Sequence, residues 1–298
     1  MIEQREIDAE VFTLMHGVDR CDIIPQVGGS IGGWTVHGQQ MLRSANAGSI
    51  AARNPLGMAS FPLVPYSNRI GNGTFEWNGH IITLARNFPP EAHAIHGVGF
   101  ERPWQVHART TDSATLRLVH QPDAGWPWAF EARQRITIAD RELTLDLTAT
   151  NLAPRPVPLA FGHHPYIPKK GAHLTFRARG VWLVGIDGLP SERVKNCGKF
   201  DFSRPTPVEQ GDIDHCFTDW TGPAHVSWTD RPLALEIGGS RTLPSAVVYV
   251  RTGMEDFCFE PVPHINNALN LADREPSMPI VAPGETFCAS IRFRAVAR

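Results

Sequence analysis

The sequence is short of the features that would direct a chain to a membrane, a secretory route or a nucleic acid. No run approaches the ~20 consecutive apolar residues that a membrane-spanning helix needs. The opening stretch, MIEQREIDAEVF, lacks the basic and apolar regions of a signal peptide. Lys plus Arg (28) and Asp plus Glu (30) nearly cancel to a formal net charge of −2, so neither nucleic acid nor an acidic membrane is implied as a partner. Five cysteines (Cys21, Cys197, Cys216, Cys258 and Cys288) are scattered with no CxxC pair. An odd, unpatterned set reads as reduced thiols. Thirteen histidines invite a metal, but there is no HExxH and no close His/Cys/Asp ligand set in the sequence. Repeats of fixed period, low-complexity linkers and breaks in composition are also missing. These absences predict a cytoplasmic chain. At 298 residues, 42% of them hydrophobic, it is long enough to form a large core as one domain over residues 1–298.

What is present is strand signal. Phe130, Ala132, Gln134, Ile136 and Ile138 alternate with polar residues, as do Leu143, Leu145 and Leu147, with Ala139-Asp140-Arg141 as a turn between. Phe287, Ala289, Ile291 and Phe293 repeat the pattern near the end. Period-two alternation predicts half-buried antiparallel strands. Asn78-Gly79 between two short strand-like runs predicts a two-residue hairpin. With 26 Gly and 25 Pro, turns recur throughout. Short helical pieces are expected only around Ser44–Arg53 and Asn266–Ala272. The fold class predicted is all-β, a large antiparallel β-sandwich. The glycine-rich Gly28–Gly33 stretch leads into Trp34-Thr35-Val36, a strand and not a helix, so it predicts a hairpin and not a phosphate loop.

Candidate site residues lie between these runs. In Phe161-Gly162-His163-His164-Pro165-Tyr166, Pro165 holds His164 towards an extended backbone. Adjacent residues of an extended segment point to opposite faces, so one histidine of the two looks into a given cleft, and His164 is expected to be that one. Asn68 and Arg69 sit in a proline-bracketed segment, and a guanidinium suits hydroxyl or carboxylate acceptors. His96 precedes a Gly-x-Gly turn where backbone can approach a ligand. Asp214 lies among apolar neighbours and reads equally as turn-former or acceptor in a cleft. Glu260 and His264 read either as site residues or as ties within the chain. Glu285, delivered by the Pro283-Gly284 turn, would on its own read as exposed.

Taken together, Asn68-Arg69-Ile70 with Asn72-Gly73, His96-Gly97 before Phe100, His164-Pro165-Tyr166, Asp214-His215 and Pro283-Gly284-Glu285 resemble, in order, the motifs of the aldose 1-epimerases (galactose mutarotases). The resemblance spans roughly residues 60–293. It implies that family's large β-sandwich and interconversion of the α and β anomers of a monosaccharide by acid–base ring opening and closure. Such chemistry needs a base at the C1 hydroxyl and an acid at the ring oxygen, with no cofactor and no metal. By the resemblance, Glu285 is the base and His164 the acid. His96 assists at the ring oxygen, Arg69 and Asp214 anchor hydroxyls, and Asn68 and Tyr166 are further candidates for binding sugar.

The chain departs from the galactose-type pattern at Phe259-Glu260-Pro261-Val262. There Val262 stands where a Leu-Glu-Thr-Gln segment has its sugar-binding glutamine, and His264 is a candidate replacement. His163 stands where many members carry asparagine, and both changes point to a less-studied bacterial branch. Two alternatives share the fold: a hexose-6-phosphate epimerase, with Lys169-Lys170 as its cations, and a non-catalytic sugar-binding module, which would have no need of an acid–base pair.

Overall fold

The computed structural model describes residues 11–209, 211–271 and 276–298. Two antiparallel sheets, of eleven and nine strands, dominate it. The alternating runs become the hairpin Phe130–Ala139 and Glu142–Asn151 in the nine-stranded sheet, with Thr286–Ala297 beside it. Their inward residues, among them Ile136, Leu145 and Phe293, are buried against the other sheet, as period-two patterning requires. Both central residues of the connecting turn, Asp140 and Arg141, have positive φ, the geometry that matches strand twist in a two-residue hairpin. Asn78-Gly79 makes a second such turn, between Thr74–Trp77 and His80–Thr83. Among the described residues helix is confined to short pieces. Ala47–Ala51 is capped by the Asn46 side chain, and Ala268–Asn270 is a single 3₁₀ turn; Ala272, the last residue of the second expected piece, lies outside the described residues. Among the described residues no helix is long and apolar enough to cross a membrane, and all five cysteines are free.

The middle of the eleven-stranded sheet runs Ser60–Leu63, Gly162–Pro168, Asp256–Val262, Ser245–Val250, Ile213–Thr218. Gly162–Pro168 is buried along its whole length, because one face meets the second sheet and the other lies beneath loops. His163 faces the second sheet. Its Nε2 donates to Gln134 Oε1 at 3.2 Å, its Nδ1 accepts from the Ser60 hydroxyl, and Gln134 Nε2 donates to the Gly29 carbonyl at 2.6 Å. Every polar group of this buried chain has a partner, so it holds the sheets in one register without an unsatisfied atom. Gly28 and Gly29 turn with positive φ into Ser30–Val36, in a hairpin as expected. A Cβ on Gly28 would lie 2.1 Å from the Phe100 carbonyl oxygen.

The segment 67–72 cannot join a long ladder, because Asn68 and Asn72 have left-handed φ of 57° and 53°. Its backbone donors are satisfied by side chains instead. Ser67 N–H donates to His264 Nε2 (3.2 Å), Asn68 N–H to His96 Nδ1 (3.2 Å) and Asn72 N–H to His93 Nδ1 (2.9 Å). Arg69 N–H donates to Asn68 Oδ1 and Gly71 N–H to Asn267 Oδ1, both at 2.9 Å. Three imidazoles thus clasp the strip that carries Asn68 and Arg69. An accepting ring nitrogen must be unprotonated. Burial keeps it so, lowering His96 well below its ordinary pKa and His264 to about 4.

Two outcomes follow from this architecture. Gly79→Ala, with no atom within 4 Å of the new Cβ, should cost about 1–2 kcal/mol for its left-handed φ alone, whereas Gly28→Ala should cost upwards of about 3 kcal/mol. Urea denaturation of the two variants measures the difference, and equal losses would contradict the close approach at Phe100. Acceptance by His96 and His264 stabilises the fold fully above the unfolded imidazole pKa of about 6.5. That stability should fall as pH drops from there towards about 4 for His264, by on the order of a few kcal/mol, because the unfolded chain binds the protons first. Denaturation midpoints across this window check it, and His264→Ala should both lower stability at pH 7.5 and flatten the slope.

Candidate functional site

Sheet register assembles the site. In the pairing of Gly162–Pro168 with Asp256–Val262, Tyr166 lies opposite Cys258, and continuing the register by two residues places His164 opposite Glu260. Glu260 in turn pairs with Val247, and Tyr249 with Asp214. His164, Tyr166, Glu260, Val247, Tyr249 and Asp214 therefore share the face turned away from the second sheet. They floor a cleft of about 270 Å³ that is also lined by Asn68, Arg69, Glu91, His96, Phe100, Arg43, Leu56 and Met254. This is a cavity of monosaccharide scale, near the lower end for small-molecule sites.

At its base His164 Nε2 lies 3.3 Å from Glu260 Oε1, with both side chains buried. The His164 ring packs against both Phe61 (centroids 4.6 Å apart) and Tyr166 (4.8 Å), which fixes its orientation. The Arg43 guanidinium lies 3.5 Å from the Tyr166 centroid on the cleft side, while its Nε donates to the Met58 carbonyl and its Nη1 lies 3.5 Å from Asp256. Burial, reinforced by Arg43, lowers His164 to about 3. Burial, reinforced by Asp214 and opposed by Arg69, pushes Glu260 well above the ordinary carboxylate range. The two groups thus hold one proton between them, which burial places on the carboxyl. Glu260 Oε2 and His164 Nδ1 are buried without a hydrogen-bond partner, the kind of exception that marks a site built for something to bind.

His96 stands edge-on to His164, with ring centroids 5.3 Å apart. Because its Nδ1 accepts from Asn68, its Nε2 carries the hydrogen and serves as a donor. Arg69 is held by Glu91 (3.0 Å) and lies 3.8 Å from Asp214, which Arg251 approaches to 3.2 Å. Burial raises Asp214, and the Arg69 and Arg251 guanidiniums oppose the rise.

The cleft collects His164, His96, Arg69, Asp214, Asn68 and Tyr166 from the sequence candidates. Glu285 is not among its walls. It is exposed on the Pro283-Gly284 turn, its backbone bonded to Asn151 and Ala282, at the head of a strand of the other sheet. The carboxyl group facing His164 is Glu260, and Glu285, expected as the base, does not line the cleft. His264 is also placed elsewhere. Both its ring nitrogens are taken by backbone groups, Ser67 N–H and the Ile265 carbonyl, so it ties the chain together. Lys169 donates to the Arg251 carbonyl at 2.7 Å and Lys170 is exposed, and neither lines the cleft. Glu91 and Arg43 were missed, since nothing in sequence distinguishes them from solvated charges. The structure also brings together a ligand set that sequence spacing hid: among the described residues, His164, Cys258 and Glu260 offer ligand atoms all within 4.8 Å of one another.

Comparison with known proteins agrees with this architecture. The uncharacterized Escherichia coli K12 protein YphB is 26% identical over 293 residues, covering 95% of this chain and 98% of that one. A galactose mutarotase-like protein from Clostridium acetobutylicum superposes with a TM-score of 0.85 at 17% identity, over 97% of this chain and 95% of that one. The galactose 1-epimerase from Lactobacillus acidophilus NCFM superposes with a TM-score of 0.79 at 18% identity, over 96% and 93%. At these identities the two structures show a shared fold. The aldose 1-epimerase family model matches residues 10–294, nearly the whole chain, and the chain belongs to that family.

Proposed function

We propose that the protein is an aldose 1-epimerase acting on a free monosaccharide, with Glu260 and His164 moving the protons. The observation that carries this reading is the 3.3 Å contact between a carboxyl and an imidazole at the buried end of a sugar-sized cleft. The anomeric hydroxyl and the ring oxygen are bonded to the same carbon, so two groups this close reach both at once. Once the proton that rests on Glu260 has passed to His164 across the 3.3 Å contact, Glu260 takes the proton from the C1 hydroxyl as His164 delivers its own to the ring oxygen, and the C1–O5 bond breaks. The open-chain aldehyde turns about C1–C2. Glu260 then returns a proton to the carbonyl oxygen while His164 recovers one from the C5 hydroxyl. The pair ends with the single proton it began with, so nothing has to be supplied from outside. His96 Nε2–H donates to the ring oxygen. Arg69 and Asp214 bind ring hydroxyls as donor and acceptor, and Asn68, whose Oδ1 accepts the Arg69 N–H, steadies that segment.

Charge balance favours a neutral sugar over a phosphorylated one. Arg69 is matched by Glu91 and Asp214, and Arg43 by Asp256, leaving no uncompensated cation among the described residues of the cleft. The lysines that a phosphate would need are elsewhere. A non-catalytic module is disfavoured because burying an acid and an imidazole with unpartnered atoms costs stability and gives a lectin nothing in return.

Polarimetry on a freshly dissolved pure anomer tests the assignment. Glu260→Gln should slow enzymatic anomer exchange by about 10²–10⁴-fold, whereas Glu285→Ala should stay near the native rate. A fast Glu260→Gln enzyme, or a Glu285→Ala enzyme as impaired as predicted for Glu260, would reverse the roles. The native enzyme should favour glucose or galactose over glucose 6-phosphate in kcat/KM, and the opposite preference would reject the neutral-sugar reading.

A further inference from the structure

The strand that carries Glu260 also carries Cys258, two residues earlier and on the same face, directly across from Tyr166. We propose that His164, Cys258 and Glu260 form a zinc site, and that zinc bound there is a reversible inhibitor competing with the sugar. The inhibitory part rests on the reading of His164 and Glu260 as the proton-moving pair; the metal site does not.

The donor set is an imidazole nitrogen, a thiol sulfur and a carboxylate oxygen. These are the three ligand types zinc takes, and three protein ligands leave a fourth position open. Magnesium and calcium are poorly served, since they require several oxygens. The three ligand atoms lie within 4.8 Å of one another, and all three residues are buried. Ordinary zinc bond lengths at tetrahedral angles place ligand atoms about 3.5 Å apart, so side-chain rotations of about an ångström or less per ligand close the set. Glu260 Oε2 has no hydrogen bond to give up in doing so. His164 and Glu260 line the cleft, so an ion arriving from solvent meets them first and Cys258 last.

The surroundings argue for an inhibitor over a resident metal. An imidazole that holds a permanent ion usually donates its second N–H to a carboxylate or carbonyl, and His164 Nδ1 has no such partner. The atoms that would grip the ion are the ones the reaction uses. With zinc on His164 Nε2 and the Glu260 carboxylate, neither a base nor an acid is left for the sugar, and a sugar in place excludes the ion.

The full chain, stripped with a chelator and then desalted, should bind one equivalent of ZnCl₂ by titration calorimetry. Zinc should raise the apparent KM for an aldose in polarimetry, with EDTA restoring the native rate. CoCl₂ in its place should give the near-ultraviolet absorption of a thiolate–cobalt bond. Cys258→Ser should keep its anomer-exchange rate, lose the cobalt band and bind zinc about tenfold more weakly or worse. Cys258→Ala serves the same purpose should the serine hydroxyl prevent folding. Zinc bound as tightly by the Cys258 variant as by the native chain, a cobalt complex without the sulfur band, or no stoichiometric binding would each overturn the site. A chain that binds zinc with the sulfur band but exchanges no aldose would leave the metal site standing and reject the epimerase reading instead.

Discussion

A carboxylic acid and an imidazole in contact and out of water cannot titrate independently, and that coupling governs this molecule. Burial opposes charge on both His164 and Glu260, so the stable contents of the pair are one proton and no net charge. An anomerase needs that inventory, because its reaction takes one proton and gives one at neighbouring oxygens. Exposed to solvent, the same two groups would hold their protons according to bulk pH, with no tie between giving and taking.

Most of the surrounding structure keeps this pair where it is. Register between two central strands sets the two residues opposite each other, and a slip by one position would turn His163 outward and His164 into the core. The chain from Ser60 through His163 and Gln134 to Gly29 opposes such a slip, since any other register would strand its polar atoms between the sheets. Phe61 and Tyr166 then fix the ring plane. Backbone pairing, a buried polar chain and aromatic stacking all specify the same position for one nitrogen.

The fold was legible in the sequence because period-two alternation is written locally, as in Phe130–Ala139, and needs no knowledge of distant residues. His164, His96, Arg69 and Asp214 were legible for a similar reason: each sits in a short stretch whose neighbours constrain its backbone. Glu285 and Glu260 show where such reading ends. Both are glutamates beside a proline or a Pro-Gly turn, and only the pairing of strands about a hundred residues apart shows which one faces His164. The same holds for His264, whose partners are backbone groups, and for Arg43 and Glu91, charged residues that look solvated until walls from other parts of the chain surround them. Cys258 belongs with them, since its nearness to an imidazole is a property of the sheet and of no motif.

The strip from Ser67 to Asn72 is gripped mainly through its main-chain amides, by side chains from residues 93, 96, 264 and 267. The strip's own side chains enter that grip at Asn68, whose Oδ1 accepts the Arg69 N–H, and its left-handed φ at positions 68 and 72 favours asparagine there. Arg69 enters that grip through its N–H, so its side chain on the cleft wall can be exchanged without loosening the mooring.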